Sequence, residues 1–107
     1  MTNSRSKGKT GELELAAVLR NYGYKDARRG QQFSGANGDA DVVGMDGYHI
    51  ECMRVEKLNL YEAVKQSKRD ARFGEIPVVM HRKNREEWLI TMTLEDYMTK
   101  VLGKEQE

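Results

Sequence analysis

Asp39, Asp41 and Glu51 are three acids in the stretch GDADVVGMDGYHIECMR, Gly38 to Arg54, where a strand-forming composition leaves little room for charge. Carboxylates brought together repel and raise one another's pKa unless a cation neutralises them. Mg²⁺ is the natural cation, because it takes hard oxygen ligands, needs only one or two carboxylates, and keeps its other positions for water and phosphate. Mn²⁺ can substitute at the same donors. The alternative is that Asp39 and Asp41 are turn residues and Glu51 a solvated charge. His49 and Cys52, three apart on a strand, point to opposite faces and make a poor zinc pair.

The choice depends on how the strands pair. Residues rich in β-branched and aromatic types mark two strands, Ala40–Gly44 and Tyr48–Val55, around Met45-Asp46-Gly47. Side chains alternate, so Glu51 shares a face with His49 and Met53. A two-residue Asp46-Gly47 turn would put Asp41 and Glu51 on opposite faces. A three-residue loop, with Gly47 in the left-handed position, pairs Gly44 with Tyr48 and sets Asp41 across from Glu51. A slip of one residue would destroy that arrangement.

Other elements must surround this hairpin. Thr10 is the expected N-cap of a helix through Asn21 or Tyr22, stopped by Gly23, with Leu15, Val18, Leu19 and Tyr22 as its buried stripe. At 100° per residue, Glu12 lies about 60° from the centre of that stripe and Glu14 about 100°. Glu12 can thus lean toward a site at the edge of the core, or simply favour the helix dipole from the first turn. Lys25 to Phe33 is the expected first, edge strand, and Ser34 to Gly38 a loop. A second helix is expected from Leu58 to Phe73, with an apolar stripe of Leu60, Val64, Ser67 and Ala71. Lys65, Lys68, Arg69 and Arg72 form a basic ridge on another side, either a solvated face or a surface for phosphates. Strands at Ile76–His81 and Trp88–Thr93 follow. Thr93 then caps a last helix through Leu102, with Leu94, Tyr97, Met98 and Val101 on one face. Trp88, Met92 and Met98 are expected in the core or a dimer contact.

A helical Glu, a strand Asp, and a Glu two residues before a Lys on the next strand make up the PD-(D/E)xK nuclease pattern, and this chain resembles it. The likeness is nearest to the small archaeal and phage Holliday junction resolvases and runs from about Gly8 to about Tyr97. Glu12 matches the helical Glu, Asp41 the strand Asp (with Ala40 where a Pro often stands), and Glu51 the second-strand Glu. Arg28 and Ser34 fall where the resolvases carry an Arg and a Ser. The family Lys is replaced by Met53. The resemblance implies Mg²⁺ held by Asp41, Glu51 and the backbone carbonyl of Cys52, with Glu12 acting through water. It further implies branched DNA as substrate, a role in recombination and a homodimer. Arg28, Arg29, Ser34, Lys65, Lys68, Arg69 and Arg72 are the expected DNA contacts.

Composition bounds these readings. The chain has 107 residues, with 18 basic and 17 acidic ones leaving a net charge of +1, so distribution rather than total charge must speak for partners. One domain is expected over residues 10–103, with a flexible basic arm at 1–9 and a tail at 104–107. The single cysteine excludes an internal disulfide and fits a reducing, cytoplasmic setting. No apolar run approaches the roughly 18 residues of a membrane span, and no secretory leader pattern opens the sequence. The expected fold is α/β, a mixed central sheet flanked by helices in the manner of restriction endonucleases. The expected function is a metal-dependent endonuclease impaired by Met53. The alternatives are a DNA-binding module of the same fold that no longer cuts, and a protein-interaction domain whose acids are surface charges.

Overall fold

Strand β3, Tyr48–Arg54, is the centre of a five-stranded mixed sheet in the order β1-β2-β3-β4-β5. The structure is a computed structural model, and it describes residues 4–31 and 40–106, with side chains from residue 8 onward. Strands β1 (Arg28–Arg29), β2 (Val42–Val43) and β3 are antiparallel. Strand β4, Ile76–Arg82, runs parallel to β3, and β5, Leu89–Thr91, closes the edge antiparallel to β4. The element order is the expected one: helix, three strands, helix, two strands, helix.

Helix α1 spans Ser4–Asn21. It therefore begins six residues before Thr10, which lies inside the helix instead of capping it, and it takes in residues 4–9 of the expected arm. Its buried stripe is Leu15, Ala16 and Leu19, with Gly11 where the helix crosses β3. A Cβ on Gly11 would stand 2.5 Å from the Cβ of Arg54, so only glycine lets the helix lie this close to the strand. Tyr22 is not in the stripe. It falls one residue past the helix, and the turn closed by its N–H on the Leu19 carbonyl leaves it 81% exposed.

The hairpin has the predicted register. Val42 pairs with Ile50, as a three-residue loop requires, and Gly47 adopts the left-handed φ of +87°. Alternation along β3 then divides the molecule. Ile50 and Cys52 join Leu15, Ala16, Leu19, Val78 and Met80 in the core under α1. His49, Glu51 and Met53 face the other way, toward α2.

Helix α2, Leu60–Asp70, makes the crossover that two parallel strands need. It is shorter than expected at both ends. The Asn59 side chain caps it by accepting from the Glu62 N–H at 3.2 Å, and the chain turns extended at Ala71. Its stripe is carried by Ala63 and Ser67, small residues that let the helix settle on the sheet. The buried Ser67 hydroxyl reaches the carbonyls of His49 at 3.3 Å and Val78 at 3.2 Å. The last helix, α3 (Leu94–Asp96), is capped by Thr93, which accepts from the Asp96 N–H at 3.1 Å, and runs on as a π-helical turn, Tyr97–Val101. Trp88 and Met92 pack against the core, whereas Leu94, Tyr97, Met98 and Val101 are exposed. Among the described residues no helix is long and apolar enough to cross a membrane.

Candidate metal and nucleic-acid site

Asp41 stands at the mouth of β2, where its N–H donates to the Ile50 carbonyl at 3.0 Å and its carbonyl accepts from Gly30 at 2.9 Å. Its Oδ2 accepts from the Cys52 N–H at 2.9 Å, so the side chain is held against β3. Glu51 is 7% exposed, and its Oε1 lies 3.1 Å from Nε2 of the buried His49. Burial, followed by the charge of Glu51, lifts the Asp41 carboxyl from its ordinary 3.8 to about 8. A hydrogen bond with the Glu51 side chain and the charge of Glu12 push in the same direction, against the opposing Cys52 N–H. Asp41 and Glu51 thus meet across the hairpin, with one oxygen of each engaged by a protein donor.

Glu12 is 8% exposed on α1 and faces Arg29, whose Nε is 2.7 Å from its Oε1. Arg29 pairs with Val42 in the sheet, which brings this cation beside the hairpin. Arg28 is exposed, and its Nη1 donates to the Arg29 carbonyl at 3.2 Å. Glu14 is drawn away to Arg54, at 3.5 Å, and to Arg82. Burial and the surrounding charges of Asp41, Glu12, Glu14 and Glu51 push the Cys52 thiol far up, which makes the side chain an unreactive core member.

His49 is the residue whose partners the sequence concealed. Its Nδ1 lies 3.6 Å from Glu75, just after α2, and ligand atoms of His49, Glu51 and Asp70 all fall within 4.8 Å of one another. Burial lowers its pKa, but the Glu51 hydrogen bond and the charges of Glu51, Glu75 and Asp70 outweigh that and raise it above 6.5. The same-face spacing of His49 and Glu51 was legible. The arrival of Asp70 and Glu75 depends on where α2 ends.

Met53 is half-buried and sits beside His81 of β4 in the parallel register. Lys65 is exposed and pairs with Glu62 at 3.5 Å on its own helix. Among the described residues, His49 alone makes an ion pair with Glu51, and none is made with Asp41. Lys68, Arg69 and Arg72 are exposed, and their side chains make no ion pair with a carboxylate among the described residues. Arg72 lies past the end of α2, at the start of the turn that leads to β4, and so stands off the helical ridge it was expected to share. Asp39 and Ser34 fall outside the described residues. No protein-family model, curated protein or solved structure matches this chain.

Proposed function

We propose that this chain is a metal-dependent endonuclease of the PD-(D/E)xK type acting on branched DNA, with cleavage impaired by Met53. The observation that carries this reading is the buried meeting of Asp41 and Glu51, where burial, followed by the charge of Glu51, lifts the Asp41 carboxyl to about 8. A proton there occupies the place that a cation would fill. The donor set suits Mg²⁺ or Mn²⁺: two carboxylates, each with an oxygen to spare, and the Cys52 carbonyl on the same strand. The α/β element order is compatible with a restriction-endonuclease-like core.

Bound there, Mg²⁺ would supply Lewis-acid polarisation of the phosphoryl group and of the attacking water. Asp41 and Glu51 would hold it, and Asp41 would give up its proton in doing so. Arg29 neutralises Glu12, which limits Glu12 to a supporting role through water. Exposed Lys68, Arg69 and Arg72, with Lys65 on the same helix and Arg28 on the edge strand β1, hold backbone phosphates and fix the register of the DNA. No ammonium stands two residues beyond Glu51 to orient the water or offset charge on the phosphate. That gap also favours a second reading, a DNA-binding module that holds junctions without cutting.

A gel shift with a four-way junction against plain duplex, with and without Mg²⁺, tests the DNA assignment. Lys68→Ala with Arg69→Ala is expected to weaken binding to every sequence and to flatten the plot of log affinity against log salt by about two units, roughly one per lost contact. An unchanged affinity and slope would contradict the assignment of this ridge.

Nicking two opposed strands calls for two related sites, and we assign the homodimer contact to the exposed apolar face of Leu94, Tyr97, Met98 and Val101. Sedimentation at micromolar concentration is expected to show twice the 12.3 kDa chain mass, and Met98→Lys to return it to the single chain. A single-chain species for the unaltered protein, with and without DNA, would refute the dimer.

A further inference from the structure

Phe73 is the most exposed large apolar residue described, at 108% of the reference accessibility, yet it is not on a loose loop. The Glu75 N–H donates to the Arg72 carbonyl at 3.0 Å, and the Glu75 side chain accepts from the Arg72 N–H at 2.7 Å. Gly74, at φ +88°, takes the left-handed third position that a type II turn requires. The ring is therefore presented at the tip of a doubly closed turn, with both faces open to solvent.

Beneath it lies a groove of about 620 Å³ between the end of α2, the start of β4 and the last helix. That volume is in the range of small-molecule sites, about 300–1,000 Å³. Lys68, Arg72 and Lys100 line it, with Ile76 and Pro77 as an apolar floor. Its two carboxylates are already engaged: Asp96 is buried and 3.4 Å from Lys100, and Glu75 serves the turn and His49. The side chains of Lys68 and Arg72 make no ion pair among the described residues, so both cations are open to a ligand. An open aromatic face with cations at its base is the combination that holds an unpaired nucleotide, the base stacking on the ring and the phosphate on the cations.

We propose that this groove binds one unpaired nucleotide at the end or branch point of a DNA strand, with its base on Phe73 and its phosphate between Lys68 and Arg72. The proposal rests on the DNA reading above and deepens it: the basic ridge of α2 runs directly into the groove. Duplex phosphates along the ridge would deliver a frayed or branched strand to it, which makes DNA with a displaced nucleotide the preferred substrate class.

Fluorescence anisotropy at fixed salt compares a blunt duplex with the same duplex bearing a single 2-aminopurine overhang. The overhang is expected to bind about 5- to 150-fold more tightly, the usual worth of one stacked base. Phe73→Ala should remove that preference and leave blunt-duplex affinity unchanged, while Phe73→Trp keeps it. The exposed position makes misfolding of either variant no obstacle. Equal affinity for the two DNAs, or a preference that survives Phe73→Ala, overturns the groove and leaves the DNA reading standing. Failure to bind either DNA overturns both. Loss of the dimer in sedimentation of Phe73→Ala, with the overhang preference intact, would instead assign the ring to an interface between copies.

Discussion

Met53→Lys is expected to raise Mg²⁺-dependent nicking of a four-way junction by about 10²- to 10⁴-fold, the usual worth of one positioned acid–base group. Met53 shares a strand face with Glu51, two residues on, and its unbranched stem is of a length close to that of lysine. Its cross-strand neighbour His81 has its pKa lowered by burial, so it presents a neutral ring, not a second charge, to an incoming ammonium. Rescue from α2 is disfavoured by geometry. Lys65 has a side chain 64% exposed and is occupied with Glu62 at 3.5 Å. Lys65→Ala should therefore leave cleavage unchanged in both backgrounds. Strong cleavage by the unaltered chain, abolished by Lys65→Ala, would show that Lys65 supplies the missing amine and that Met53 is no defect. A Met53→Lys variant that binds the junction but gains no cleavage would also count against the role given to this position.

The second large effect concerns Asp41 and pH. Its folded-state pKa of about 8 lies above the ordinary 3.8, so folding favours the protonated carboxyl. The stability it contributes is complete below about pH 4 and is lost as pH rises through 8, because the native state binds the extra proton over that window. The loss is on the order of a few kcal/mol, at about 1.4 kcal/mol per pKa unit and allowing for sharing with Glu51. His49, raised above 6.5, loses its contribution in the same direction. Asp41→Asn keeps an oxygen for the Cys52 N–H but cannot ionise. At pH 8.5 it is expected to melt on the order of 10 °C above the unaltered protein, retaining only the smaller fall due to His49. Saturating Mg²⁺ should raise the melting temperature of the unaltered chain at that pH and leave Asp41→Asn unmoved. Identical pH profiles for the two proteins would remove the coupled carboxyls from the account.

Local chemistry made part of this architecture legible in the sequence, and the legible part is local. Gly47 after Met45-Asp46 announced the three-residue loop, and the loop alone sets the register of Val42 against Ile50. Thr93 announced the last cap, with Asp96 three residues on. Asn59 carried an equally good capping signal, but the apolar Leu58 drew the helix start forward past it. The sequence of the first turns of α1, SRSKGK, carries no apolar period, and Thr10 took the role of a start signal by default. What the sequence hid was long-range pairing. Arg29 reaches Glu12 only once β1 lies beside β2, and Glu75 and Asp70 reach His49 only once the crossover helix has ended where it does. Lys65, Lys68 and Arg69 were legible on α2 from helical spacing, whereas Arg72 and Phe73 were assigned to the end of the helix and so were not read as turn residues.

Counting bound Mn²⁺ by electron paramagnetic resonance at pH 8, in the unaltered chain, Asp41→Asn and Glu51→Gln, tests the metal site most directly. One tightly held ion per chain, absent from both variants and displaced by Mg²⁺, is the expected result. No bound ion in the unaltered chain, or undiminished binding in Asp41→Asn, would contradict it.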